Sequence, residues 1–234
     1  PKVSHPIYEL TLPSSKKVIK YRPFLVKEEK LLLMAQSGSD PKEVIGSIKQ
    51  VINNCILTDG ISVDDMASFD IEYFFIKLRS KSIGNIIELT YRDLEDDKRY
   101  DVSVDLDGVE IITNAEHTNK VSIDKTTGLT LKYPTVDASA ALMSDDVDSG
   151  DAVFDMIAKC VETIYDENAT YNPSDYSEEE LIEFISSLSI DTFQKIQDFF
   201  TTMPKLHYEV KYTNSLGNEK TITLSTLNDF FTLG

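Results

Sequence analysis

One apolar stripe occurs twice in this chain. Val44, Ile45, Ile48, Val51, Ile52, Cys55 and Ile56 recur at the three- and four-residue spacing of a helix face that must be buried. Val153, Phe154, Ile157, Cys160, Val161, Ile164 and Tyr165 repeat the stripe, each 109 positions later. After each stripe come an acidic loop, a Phe-rich helix, a basic or Pro-containing break and a pair of alternating strands. Those strands are residues 87–91 and 100–104 in the first copy, and 206–212 and 221–224 in the second. This order predicts an α+β protein built from two pseudo-repeated helix–helix–β-hairpin modules. Residues 44–56 and 153–165 are then expected to be equivalent helices in two superposable halves.

Local signals fill in the rest. Tyr8, Leu10 and Leu12 alternate with polar residues, and Val18, Lys20 and Arg22 oppose Ile19 and Tyr21 on the return. An N-terminal β-hairpin turning at residues 13–16 follows. Residues 26–35 read as a short helix with Leu31, Leu32 and Met34 as its apolar cover. Asp40-Pro41 starts the next, because Asp caps free N–H groups and Pro is tolerated at the first helical position. The Phe-rich helices span 69–80 and 190–202, and Gly84 and Pro204 are expected to form the corners that follow them. Residues 87–92 and 99–105 form a hairpin, and 109–112, 121–124 and 129–133 add short strands. Ser177 and Glu180 make a capping box for one further helix, to about residue 187. The division expected is 1–135 for the N-terminal hairpin and first module, 136–150 for an acidic connector, and 151–234 for the second module.

Chemistry is sparse. Only His5, His117 and His207 are present, none beside a hydrolase Ser or Cys motif. Residues 217–221 end like a phosphate-binding loop but lack its first glycine and spacing. With Gly150 as the sixth residue of a calcium loop, Val147 and Met156 fall where oxygen ligands are needed. Cys55 and Cys160 lie on apolar helix faces and read as reduced core thiols, which suits a reducing cytosol or a particle assembled there. No catalytic residue, metal, cofactor or small-molecule substrate is expected. The net charge of −17 disfavours nucleic acid and anionic membranes, and no apolar run reaches the length of a membrane span.

The charge is uneven. Residues 145–191 hold fourteen acids and one base, whereas residues 2–34 hold seven bases and three acids. Two readings stand: solvated faces, or complementary contact surfaces between copies or neighbouring subunits. The candidate partner-binding residues are Arg79 and Lys81 in the first basic break, Glu178, Glu179 and Glu180 in the acidic stretch, and the terminal pair Phe230 and Phe231. For Arg79, capping of nearby carbonyls competes with a partner contact. For the Phe pair, local packing competes with docking onto a neighbour.

Three longer strings carry a resemblance. Residues 23–32 (PFLVKEEKLL), 70–84 (DIEYFFIKLRSKSIG) and 199–206 (FFTTMPKL), in this order and spacing, resemble the baseplate hub subunit family of T-even-type contractile-tailed phages. The similarity runs from about residue 8 to 231. It implies a non-enzymatic protein made in the cytoplasm of the infected bacterium. Such a protein belongs to the central hub of the tail baseplate, as a structural part of the virion or as a chaperone for hub assembly that is absent from it. The partners implied are other tail and hub proteins, with copies of itself a further candidate. Relatives with Cys-x-x-Cys at the hairpin tips would bind zinc there; tips 92–98 and 212–217 of this chain contain no Cys.

Overall fold

The computed structural model describes residues 3–38, 40–140 and 149–231. From the N-terminal side the chain forms β1 (Tyr8–Thr11), β2 (Val18–Tyr21), α1 (Val26–Ser37), α2 (Pro41–Cys55) and α3 (Ser68–Ser82). Then come β3 (Ile86–Arg92), β4 (Arg99–Asp105), β5 (Glu110–Ile112), β6 (Lys120–Ser122) and β7 (Gly128–Leu131). They are followed by α4 (Val136–Ala140), α5 (Ser149–Cys160), β8 (Val161–Tyr165), β9 (Thr170–Tyr171), α6 (Glu178–Ser186) and α7 (Ile190–Thr202). The last elements are β10 (Lys205–Thr213), β11 (Glu219–Leu224) and α8 (Leu227–Phe231). The fold is α+β, with small sheets distributed among the helices. It divides into two compact units, residues 1–112 with 204–234 and residues 113–203.

The first unit is organised around α3. Its sequence is apolar on nearly every side, and Phe69, Ile71, Phe74, Phe75, Ile76 and Leu78 are all buried. One side joins the β1–β2 hairpin and α2 in a cluster containing Leu10, Ile19, Tyr21, Val51, Ile52, Cys55 and Phe74. Ile76 points into a second cluster with Val102, Val104, Leu106, Leu206, Leu224 and Phe230. Each such side chain contributes about 1.5–3 kcal/mol when fully buried.

A helix buried this way must find partners for its polar residues. Asp70 accepts from the amide and the hydroxyl of Ser14 in the first hairpin turn. Glu72 accepts from the Leu227 amide at 2.9 Å. The Lys77 ammonium donates to the carbonyls of Leu106, Asp107 and Val109 at 3.2, 2.9 and 2.9 Å. Ser82 accepts from the Phe24 amide at 3.0 Å. Gly84 turns the corner into β3 with φ at +144°, a conformation closed to residues with a Cβ. Arg79 closes the same corner, donating to the Gly84 carbonyl at 3.0 Å.

A second built feature links α1 to the hairpin. Glu28 is buried, yet Arg22 pairs with it at 3.1 Å and the Leu25 amide donates to it at 2.8 Å. Burial alone would raise its pKa; the Arg22 hydrogen bond leads the contacts that bring it below the ordinary value instead. The expected start at Asp40-Pro41 is present, with the Asp40 side chain accepting from the Lys42 amide at 2.9 Å.

In the second unit, β6, β7, β8 and β9 form one antiparallel sheet in that order. Val121, Leu129, Leu131, Ile157, Val161, Leu181, Ile185, Ile196 and Phe199 make its core. Gly128 lies against Tyr165, whose ring a Cβ at that position would strike. His117 bridges Thr202 and Tyr133 at 2.9 and 3.1 Å and stacks on Phe199, so it is a packing residue.

Here the expectation of equivalent helices at 44–56 and 153–165 fails. The helix ends at Cys160, and Val161, Ile164 and Tyr165 belong to β8, paired with β7. Val161, Thr163 and Ile164 are β-branched and suit a pleated surface, and β7 supplies the partner strand. The copies diverge further, because α7 lies in the second unit while β10 and β11 lie in the first. The two ends of the second unit leave the first unit from paired strands, since Ile112 of β5 faces Lys205 of β10.

Two outcomes are expected. Phe199→Ala should cost about 3–5 kcal/mol, read as a lower urea midpoint in the second unit by hydrogen exchange. Burial raises the Glu72 pKa to about 7, and Asp229 adds to the rise. A carboxyl with a raised folded pKa contributes stability that is present below its ordinary value and lost as pH climbs through the folded one. Stability should therefore decline between about pH 4.5 and 7. Glu72→Gln should flatten that decline and gain on the order of 1–3 kcal/mol at pH 8 by urea titration.

Candidate interaction surfaces

Two hairpin tips in the first unit are clasped together. Asp93, at the end of β3, accepts from the Glu95 amide and the Tyr212 hydroxyl, both at 2.8 Å, and from the Asn214 side chain at 3.3 Å. Asp96 accepts from the Tyr100 hydroxyl at 2.5 Å and from the amide and hydroxyl of Ser215 at 3.0 and 2.7 Å. Glu95 takes the side-chain amides of Asn214 and Asn218, each at 2.7 Å, and the Lys220 ammonium at 2.5 Å. The Tyr212 ring lies 4.9 Å from Tyr100 and 6.0 Å from Tyr91.

These donors change the acids. The Glu95 amide is the main cause that lowers the Asp93 pKa. Burial opposes the same change at Asp96, and the Tyr100 and Ser215 hydrogen bonds overcome it. The clasp carries two exposed leucines, Leu94 at 86% and Leu216 at 61%. Among the described residues, no group of three or more His, Cys, Asp or Glu could hold a metal ion.

The second surface surrounds α1. Four apolar residues in a row, Leu31 to Met34, cannot all face one side of a helix. Leu31 and Leu32 are half-buried, while Leu33, Met34 and the 80%-exposed Val26 face solvent together with Lys27 and Lys30. Beside Val26 lies an open hollow of about 550 Å³, lined largely by Val3, Phe24, Leu25 and Ile83. Sequence reasoning gave Met34 to the apolar cover and passed over Leu33; the signal was the unbroken apolar run.

The third surface is the acidic second unit, which holds eighteen Asp and Glu against five Lys. Residues 145–148 of the acidic stretch lie outside the described residues. Glu178 pairs with Lys159 at 3.4 Å. Glu180 completes the expected capping box, accepting from the Ser177 amide at 2.8 Å while Ser177 accepts from the Glu180 amide at 3.2 Å. Glu179 and Glu183 are exposed, as are Tyr176 just before α6 and Ile190, 89% exposed, just after it.

The remaining candidates make contacts within the chain, Lys81 while staying exposed and Phe231 while half-buried. Lys81 pairs with Asp107 at 3.5 Å and lies 5.8 Å from the Tyr8 ring centre. Phe230 is 1% exposed in the second cluster, and Phe231 meets Phe75 edge-on at 5.7 Å between ring centres.

A small-sheet α+β fold with exposed apolar residues on well-anchored supports fits a protein that works by contact. The family model described as T4 bacteriophage base plate protein matches residues 5–232. The chain belongs to this family. No curated protein and no solved structure matches it. Among the described residues of this baseplate protein, no helix is long and apolar enough to cross a membrane.

The clasp should respond to pH. A depressed carboxylate pKa contributes stability that is present above the ordinary value and lost as pH falls through the depressed one. Hydrogen exchange at residues 213–218 should therefore quicken as pH drops below the normal Asp range, after correction for intrinsic rates. Asp96→Ala should produce the same loss of protection at neutral pH, with the amide of Ser215 most affected.

Proposed function

We propose that this protein is a non-enzymatic structural subunit of the baseplate hub of a contractile phage tail. It acts through protein–protein contacts during tail assembly, which takes place in the cytoplasm of the host bacterium. The observation that carries the reading is the family match over residues 5–232. Three features support it. The first unit holds its exposed leucines on a densely bonded clasp, so contacts made there lose little conformational entropy. The α1 face leaves large apolar residues in water, as contact surfaces do. The acidic second unit adds a long-range field that steers encounter and falls with salt.

Arg79 enters this reading as the residue that sets the α3–β3 corner. Phe230 enters as a core residue that anchors α8, and half-buried Phe231 packs beside it against Phe75. The acidic triplet Glu178, Glu179 and Glu180 offers a partner its exposed carboxylates, with Glu180 also holding the helix start, and exposed Lys81 offers a cation beside its Asp107 pair.

A hub subunit should be present in stoichiometric amount in purified mature particles by quantitative mass spectrometry. Absence from particles, with hub assembly lost when the gene is inactivated, would make the protein an assembly chaperone instead. Absence with normal assembly would remove both roles.

A further inference from the structure

We infer that the exposed face of α1 docks onto the acidic face of α6 in a second copy of this chain. The inference rests on the proposed assembly role and names one partner for it. On α1, residues advance by about 100° each. Val26, Lys27, Lys30, Leu33 and Met34 thereby share one side, and all are exposed. The opposite side carries the buried Glu28 and Ala35. The nearest carboxylate to Lys27 is Glu28 at 3.6 Å, already held by Arg22. Lys30 forms no ion pair among the described residues. This face is apolar and cationic, and the hollow beside Val26 extends its apolar part.

Its complement lies in the second unit. Glu179 and Glu183 stand one turn apart on the exposed side of α6, and neither forms an ion pair among the described residues. Tyr176 and Ile190 bracket them with exposed apolar surface. Two cations flanked by Val26, Leu33 and Met34 thus meet two anions flanked by Tyr176 and Ile190. Each charged pair spans about one helical turn. Apolar contact supplies affinity, and the charges set orientation and register. Two assemblies satisfy this contact: a twofold dimer in which α1 of each copy meets α6 of the other, or a head-to-tail series in which each copy offers its α1 face to one neighbour and its α6 face to another. The head-to-tail series closes a ring or continues as a filament.

The test is sedimentation velocity of the whole chain at low and high salt, with circular dichroism to confirm that each variant folds. Wild type should exceed its 26.4 kDa monomer mass as concentration rises. That association should weaken in salt. Lys27→Glu with Lys30→Glu should weaken association about ten- to hundredfold. Glu179→Lys with Glu183→Lys should do the same, and an equimolar mixture of the two variants should recover it. Leu33→Gln with Met34→Gln should weaken association without altering its salt dependence.

A monomer at every concentration up to about 0.5 mM in low salt would overturn the proposal, since that limit corresponds to a contact of roughly 4–5 kcal/mol. So would charge variants that associate like wild type, or a mixture that stays monomeric. If the α1 variant instead loses another tail protein in pull-down while self-association is unchanged, that face belongs to the other protein. Self-docking would then be wrong with the hub role intact. The hub role itself fails only in the particle experiment.

Discussion

The first unit depends on one constraint: α3 is buried along most of its length, so its polar residues must be satisfied by other parts of the chain. Each satisfies a different one. Asp70 holds the first hairpin turn, Glu72 the start of α8, Lys77 the reversal between β4 and β5, and Ser82 the segment entering α1. A fully apolar helix of the same shape would pack equally well but would not fix where these segments land. Unpaired, each buried polar group costs roughly 1–3 kcal/mol, so a misplaced segment is penalised separately at each tie. Apolar burial supplies the driving force here, and the polar ties select one arrangement.

The clasp applies the same logic farther from the core. Three acids crowded into four residues, Asp93, Glu95 and Asp96, would repel one another in open solvent. Here each is surrounded by hydroxyl, amide or ammonium donors from the opposing hairpin. A metal would meet the same electrostatic need with fewer residues. This chain meets it with tyrosine, asparagine, serine and lysine, and gains two fixed positions from which Leu94 and Leu216 project.

What could be read from the sequence follows the range of each interaction. Helix starts were legible where the cap lies within three residues, as at Asp40 and Ser177, and so were hairpins whose alternation is local. The Gly84 corner was legible because one residue carries the conformational demand. The switch from helix to strand at Val161 was not, since three- and four-residue spacing and β-branching coexist there. The decision came from β7, thirty residues upstream. The clasp was hidden for the same reason, its bonds joining residues 115–123 positions apart. The apparent repeat marked helices that do exist, but not how far they run or which unit the following hairpin joins. The exposed α1 face was visible in principle, because a run of four apolar residues overfills one side of a helix.

The paired exits at Ile112 and Lys205 have a consequence for how the chain can vary. Residues 113–203 leave and rejoin the first unit at opposite members of one antiparallel strand pair. A stretch inserted between ends this close can gain, lose or exchange residues without moving the strands that bracket it. Variation in the second unit therefore need not disturb the β5–β10 pairing that closes the first.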